Sequence, residues 1–293
     1  MIELRVASTD ADYEAWAAIK SRVVPSEPVT AKQLRDQAED GRLLLVASVD
    51  GQDAGCGIGA RSDTRGRAFL AARVLPQHRR RGVGAELVRA LVDHARALGL
   101  ADVNAFVDAA EPEPAAFAER YGLQQVDFQL QQIREVGDEA ASELHGIDLV
   151  ALGDRREELL RAAWPVAEEA YADFPVPGEL AFTLEQWLHD EATLPAGSFV
   201  ALELGDVVGY AGLVEHASAG TAEHGLTAVR RDRRGRGIAR ALKRAQLHWA
   251  AQNRIDTLVT WTQQRNDAMQ ALNRSLGYRD VGKVLTMQGA LPV

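Results

Sequence analysis

Apolar and polar positions along the chain change their period in a fixed order, and that order occurs twice. Residues 2–7 alternate apolar and polar, as a strand with one buried face does. Polar, helix-like segments follow to about Asp40. Strand-like runs at 43–49 and 54–60 flank Asp50-Gly51, a pair suited to a tight hairpin. A further strand at 68–74 ends at Pro76. Residues 83–98 take the helical period, with Val83, Leu87, Leu91 and Leu98 near one face. A strand at 103–107, a short helix at 114–121 and a closing strand at 126–133 complete the run.

The second run starts near Gly146, after an acidic stretch at 136–144. A strand at 148–152 precedes helices at 155–171 and 184–192. Residues 199–204 and 207–214 make a hairpin around Gly205-Asp206. A strand at 226–229, a helix at 238–252, a strand at 258–262, a helix at 266–276 and a strand at 281–287 follow. Two copies of one α/β (broadly α+β) domain are expected, over 1–145 and 146–293. Each would be a mixed, twisted sheet flanked by helices.

A basic, glycine-containing turn opens the long helix of each copy. Arg79-Arg80-Arg81-Gly82-Val83-Gly84 recurs as Arg234-Gly235-Arg236-Gly237-Ile238-Ala239, an offset of 155 (237 − 82). Gly122 and Gly277 keep that offset (277 − 122 = 155), so the register is ungapped. Small residues let backbone approach a ligand closely, and N–H groups at a helix start have no intrahelical partner. With the helix dipole, this makes a phosphate site, and Arg79, Arg81, Arg234 and Arg236 would add mobile cations around it.

Composition narrows the ligand. The net charge of −9 argues against broad nucleic-acid binding, which depends on neutralising many phosphates. Arginines 230, 231, 233, 234 and 236 form a basic island in an acidic chain, which suits a compact anion. The apolar stretches are too short to span a bilayer, and no signal-peptide pattern opens the chain, so a cytoplasmic location is expected. Cys56, the single cysteine, excludes an intrachain disulfide and reads as a small core residue. Gly55-x-Gly57-x-Gly59 lacks dinucleotide-fold spacing, and no metal-binding spacing of His, Asp or Glu occurs.

Both turns match Arg/Gln-x-x-Gly-x-Gly/Ala, and on these residues the chain resembles the GNAT superfamily of acyl-CoA N-acyltransferases. Val74-Leu75-Pro76 resembles that family's strand exit, and Gly122 and Gly277 its later Leu-Gly-Phe/Tyr turn. The tandem arrangement is similar to mycothiol synthase-like members at the level of architecture. The resemblance implies acetyl-CoA, or another acyl-CoA, as co-substrate, with no metal. It places cofactor contacts at Thr227, Val229, Arg230, Arg234, Gly235, Arg236, Gly237, Ile238, Ala239 and Asn266. In the first copy the corresponding contacts are Val74, Arg79, Arg81, Gly82, Val83 and Gly84. Asn266 is equally suited to cap the helix it begins, whereas its counterpart Glu111 lies in an acidic, proline-containing segment.

For acyl transfer an amine must lose a proton, attack the thioester carbonyl and expel the CoA thiolate. Candidates for the base in the second copy are His224, Glu223, His216 and Glu215. A histidine titrates near neutrality without tuning, and a glutamate can act through a water. N–H groups near Thr227 to Arg230 are expected to polarise the carbonyl. The tyrosine that many family members use to protonate the thiolate is absent: its positions hold Asn273 and Ala118. Tyr171, Asp173 and Phe174 are candidate acceptor contacts.

The expected function is transfer of an acetyl or related acyl group to a primary amine of a small molecule, catalysed by the second copy. The first copy would be non-catalytic or complete the acceptor pocket. Alternatives are a non-catalytic acyl-CoA-binding regulator and an aminoacyl-tRNA-dependent transferase on the same fold. The sequence does not specify the acceptor or the oligomeric state.

Overall fold

The computed structural model describes residues 1–36, 41–141 and 143–292, so the helical reading of 37–40 lies outside the described residues. Two compact units form: one from Met1–Phe128 and the chain from Lys283 onward, the other from Gln129–Gly282. The first contains β1 (Ile2–Val6), α1 (Asp10–Val23), α2 (Ala31–Asp36), β2 (Leu43–Val49), β3 (Gln52–Arg61), β4 (Arg67–Val74), α3 (Val83–Ala97), β5 (Asp102–Asp108) and α4 (Pro112–Arg120). The second contains β7 (Asp148–Ala151), α5 (Arg156–Ala172), α6 (Leu184–Asp190), β8 (Phe199–Glu203), β9 (Asp206–Glu215), β10 (Thr221–Val229), α7 (Ile238–Gln252), β11 (Thr257–Gln263) and α8 (Asp267–Ser275). Two long strands, β6 (Gln124–Glu135) and β12 (Arg279–Ala290), begin in one unit and end in the other.

Relative to the repeat copies 1–145 and 146–293, these compact units exchange β6 and β12. From Gln129 onward β6 pairs antiparallel with β11, and from Val284 onward β12 pairs antiparallel with β5. The chain's last strand thus closes the first unit, where Met287 joins Leu87 and Leu91 in the core. The repeat conceals this exchange because β6 and β12 are equivalent, with both ends at an offset of 155 (279 − 124 and 290 − 135).

Sheet order is β1-β2-β3-β4-β5-β12 in the first unit and β6-β11-β10-β9-β8-β7 in the second. Within each, pairing is antiparallel except at one place, β4 with β5 and β10 with β11. The helices lie in two layers. In the first unit α3 buries Val83, Leu87, Leu91, Val92 and Ala95 against the sheet, and α1 buries Trp16, Ala17 and Ile19 on the other face. Each large side chain so buried is worth roughly 1.5–3 kcal/mol, so docking rather than propensity holds α3 in place.

The glycine triplet of β3 is explained by this packing. A Cβ on Gly55 would lie 2.7 Å from the Arg73 carbonyl and 3.3 Å from Leu87, and one on Gly57 would lie 3.2 Å from Leu87 and Leu91. The small residues let α3 lie against the strand. Cys56, facing the opposite way, is buried, and burial pushes its thiol up to about 12, as an inert core residue requires.

The second unit repeats the plan. Ile238, Leu242, Leu247 and Ala250 of α7 cover one sheet face, and Leu159, Leu160, Ala163 and Val166 of α5 the other. Thr183 and Gln186 form a capping box that starts α6, as Thr9 and Asp12 do for α1. Among the described residues no helix is long and apolar enough to cross a membrane.

Candidate functional site

The phosphate turn has the same backbone in both units. Gly82 (φ 88°) and Gly237 (φ 84°) stand just before α3 and α7 in the left-handed region, which glycine enters without a Cβ penalty. Neither helix start receives a side-chain cap, and no atom lies within 4 Å of a Cβ built on Gly237. The first N–H groups of α7 therefore face open space, as an anion site requires. Arg79 Nε donates to the Val74 carbonyl at 3.3 Å, and Arg234 Nε to the Val229 carbonyl at 3.0 Å. In each copy the motif arginine fastens the turn to the strand before it.

The other guanidinium contacts correct the expectation of mobile cations. Arg231 and Arg234 both hold Asp173, at 2.6 and 2.7 Å, and their hydrogen bonds, Arg231's first, lower its carboxyl to about 2. Arg236 and Arg233 hold Glu203 in the same way. Arg230 pairs with Asp232 at 2.7 Å, Arg79 with Glu111 at 3.4 Å and Arg81 with Asp50 at 3.7 Å. Carboxylates thus offset much of the basic island, and the backbone N–H groups remain as the anion's primary donors.

Beyond the turn the sheet opens. β10 pairs with β11 only from Thr221 to Glu223, against Thr257 to Val259, and the two strands then continue without further pairing. In the same stretch β10 carries an extra residue: His224 faces Leu213 of β9, and Thr227 faces Ala211. Such a bulge reverses the alternation of side chains. Ala222 packs in the α7 layer with Leu247, whereas Leu226 and Ala228 pack in the α5 layer. Past the bulge, Arg230 N–H bonds the Val208 carbonyl, so the alternation of an antiparallel ladder turns the Thr227 and Val229 N–H groups toward the opening.

The result is a cleft of about 170 Å³ within the second unit. Gly225, Leu226 and Thr227 of β10 face Thr260 to Gln263 of β11 across it, with Tyr171 and Phe174 from the end of α5, Lys243 from α7, and Asn266 and Met269 at the start of α8. Asn266 caps α8, its side chain accepting the Met269 N–H at 3.3 Å, and it also lines the cleft.

Comparison with known proteins gives this geometry a family. The profile of the Acetyltransferase (GNAT) family matches residues 10–123 and 156–278. The chain belongs to the GNAT acetyltransferases. It is 31% identical over 212 residues to a mycothiol acetyltransferase of Thermomonospora curvata, covering 70% of this chain and 68% of that protein. Its fold is similar to a GCN5-related N-acetyltransferase from Sphaerobacter thermophilus, with a TM-score of 0.78, 20% identity, and 100% of this chain and 96% of that one covered. A tandem GNAT protein from the clavulanic acid biosynthesis pathway gives a TM-score of 0.77 at 19% identity, covering 100% and 99%. The protein is an N-acetyltransferase of tandem GNAT architecture, and the family's co-substrate is an acyl-CoA.

Of the four candidate bases in this acetyltransferase, the structure separates two from the cleft by distance and one by orientation. Glu215 ends β9 opposite Ala222, three residues and about 10 Å along β10 from Gly225, and His216 follows it. Glu223 and His224 lie inside β10, not in a loop before it. His224 turns toward α7 and is buried, sharing a 2.5 Å hydrogen bond with the Tyr278 hydroxyl. Burial first, then the Lys243 charge, hold its imidazole well below its usual pKa, partly offset by Gln246. Glu223 alternates with it and so faces the α5 and α6 layer, the side from which Tyr171 and Phe174 reach the cleft.

Two further residues of the acetyltransferase carry chemistry that the sequence pattern did not single out. Glu191, just after α6, is buried with its Oε1 accepting the Leu226 N–H and the Tyr210 hydroxyl, each at 3.1 Å. Burial pushes its carboxyl up to about 7 against these hydrogen bonds. Lys243, 1% exposed, stands on the α7 side of the cleft. A signal for Lys243 exists, because it falls on the helical stripe 243–247–250 with Leu247 and Ala250.

The first unit has the turn and the same parting of its parallel strands, β4 pairing with β5 only from Arg67 to Phe69, but not the bulge or the side chains of the cleft. Val74 and Val229 keep the offset of 155 (229 − 74), but the parallel-ladder starts Arg67 and Thr221 differ by 154 (221 − 67), so the bulge is a one-residue insertion in β10. β3 and β4 pair without a register shift. On this alignment Phe69 and Leu70 replace Glu223 and His224, while Val88, Ala118 and Leu123 replace Lys243, Asn273 and Tyr278. Val83 is buried beneath the turn, and a Cβ on Gly84 would lie 3.3 Å from the Phe117 ring.

Proposed function

We propose that the second unit transfers an acetyl or related acyl group from acyl-CoA to a primary amine of a small molecule, in the cleft between β10 and β11. The observation that carries this reading is the bulge, which turns the Thr227 and Val229 N–H groups into an opening that leads to the bare start of α7. The CoA pyrophosphate would rest on the N–H groups of Gly237 to Ala239, and the pantetheine arm would follow the open edge of β10. The thioester oxygen would accept a strand N–H, of which Thr227 is the nearest to the bulge. Preorganised donors of this kind stabilise the negative charge that develops on that oxygen.

The amine would enter from the Tyr171 and Phe174 side, with Glu223 on the same face taking its proton directly or through a water. Amine and thioester held together in one cleft supply much of the rate by themselves. A relative named mycothiol acetyltransferase supports a small metabolite as acceptor. The apolar replacements in the first unit support a non-catalytic role there. Use of acyl-CoA fits the cytoplasmic location expected from the sequence.

The test is a mass-spectrometric screen of small primary amines with acetyl-CoA. A product mass raised by one acetyl group, made by the wild type and reduced roughly 10²–10⁴-fold by Glu223→Gln with CoA affinity unchanged, is expected. CoA binding without transfer to any amine would leave only the regulatory alternative.

A further inference from the structure

Lys243 is a buried ammonium without a counter-ion. It is 1% exposed, yet it stands on the wall of the cleft, where the strands of the second unit separate. Among the described residues no acceptor is hydrogen-bonded to its Nζ, which stands 5.4 Å from the centroid of the Tyr278 ring. A charge so placed is expensive unless a ligand supplies the opposite one. Its titratable surroundings are His224 from β10 and Tyr278 beyond α8; Arg134 and Glu139, which act on Tyr278, are paired with each other. Tyr171 lines the same cleft from the α5 side.

Its position along α7 indicates which anion. Six residues separate Lys243 from Gly237, so it lies about 9 Å deeper than the phosphate end. It also lies on the α7 layer, opposite the α5 side from which the amine enters. It lines the same cleft as Gly225 to Thr227, where on the reading above the thioester would lie with its oxygen on the Thr227 N–H. We propose that Lys243 donates the proton that neutralises the departing CoA sulfur. The inference rests on the reading of the second unit as the acyl-CoA site.

The step balances. The amine nitrogen forms a bond to the carbonyl carbon and gives one proton to the base; the C–S bond then breaks with its electron pair on sulfur. The Lys243 ammonium passes a proton to that sulfur, leaving a neutral thiol and a neutral amine, and the amine regains a proton from solvent. Burial lowers the Lys243 ammonium to about 7, a value at which it is both charged and able to give up its proton near neutrality. Asn273, at the position where a tyrosine would otherwise act, is buried and donates to Gln132 Oε1 and Thr262 Oγ1, at 2.8 and 3.2 Å. An amide cannot serve as an acid, so the lysine stands in the place of that function.

The experiment titrates the thiol of CoA bound to the full-length protein, following the ultraviolet absorbance of the thiolate, in wild type, Lys243→Met and Lys243→Arg. Bound CoA should ionise at a pH lower by about one unit or more in K243R, whose cation persists while the thiol titrates, than in K243M, since a nearby cation favours the thiolate. K243R should nonetheless lose proton donation, because arginine holds its proton. In steady state K243M should lower kcat roughly 10²-fold or more with little change in the KM for acetyl-CoA, and the loss should shrink with an acyl donor whose thiol is more acidic. Should K243M not fold, Lys243→Leu serves in its place.

Equal thiol ionisation in K243R and K243M would overturn the inference while leaving the acyl-CoA site intact. Failure of the wild type to bind CoA would overturn the site itself. A wild-type preference for succinyl-CoA over acetyl-CoA that K243M abolishes would also overturn it, by showing that the lysine reads a carboxylate on the acyl chain.

Discussion

The Glu191 carboxylate accepts the Leu226 N–H at 3.1 Å, and this bond holds the extra residue of β10 in place. Two glycines make room for it. A Cβ on Gly225 would lie 1.9 Å from Glu191 Oε1, and one on Gly212 would lie 2.0 Å from it. The bulge is therefore buttressed from the acceptor side by a carboxylate that itself lies in the core.

That carboxylate makes stability depend on pH in a defined window. Its folded value of about 7 lies above the ordinary 4.5, so its contribution is full below about 4.5 and is lost as pH rises through about 7. The shift corresponds to about 3 kcal/mol at most. Asp173 and Glu203, held near 2 by arginines, titrate below this window and Lys243 from its upper edge, whereas His224, held well below 6.5 by burial, acts within it with the opposite sign. Glu191→Gln keeps an acceptor oxygen and removes the Glu191 titration, so in urea unfolding between pH 4.5 and 7 the variant's stability should rise with pH relative to wild type. Identical slopes would remove Glu191 from the account.

Filling the space beside Glu191 should damage both stability and rate. Gly225→Ala or Gly212→Ala must displace the carboxylate or the strand, a cost of roughly 1–3 kcal/mol for overpacking a tight site. Thermal melts should show the loss, and kcat should fall because the Thr227 N–H moves with the strand. An alanine variant with full stability and rate would mean that the carboxylate has another resting place.

The two turns should differ in consequence. Gly237→Val both strains a left-handed position and fills the open space before α7, so CoA binding to the second unit should be lost. Gly82→Val strains the equivalent position, yet the first unit has no bulge and no Lys243 counterpart, so its effect on rate should be smaller. Calorimetric CoA titration and initial rates check both. The reverse ranking would place the chemistry in the first unit.

Asp173 competes with phosphate for Arg231 and Arg234. Asp173→Asn removes the competing charge, and CoA should bind several-fold tighter with a steeper dependence on salt. Unchanged affinity across ionic strength would show that these two arginines do not meet the ligand.

Much of this architecture is written in local chemistry. The offset of 155, the turn glycines and the apolar stripes of α3 and α7 are short-range signals, and each formed where the pattern placed it. The sequence places this strand at 226–229; in the fold β10 starts at Thr221, and Gly225 lies in its bulge. Glu191 left no mark at its own position. Its trace is in Gly212 and Gly225, far along the chain, which leave space for its carboxylate. Ion pairing of the arginines was likewise invisible, since Asp173 and Glu203 come from distant segments. The crossing of β6 and β12 could not be read at all, because either strand satisfies the same apolar pattern at the same place in the repeat.

That crossing sets an order of assembly. Val103 of β5 meets Gly289 of β12, a partner 186 residues away (289 − 103), whereas β6 lies next in sequence to the second unit that it closes. A nascent chain can complete the second unit while its final strand is still being synthesised, but the first unit must wait with the edge of β5 bare. Until β12 emerges, β6 is a ready substitute for that edge, equivalent in register to the strand that belongs there. The protein's first-made half is thus its last to be finished, and its misfolding hazard is a contest between two copies of its own sequence pattern.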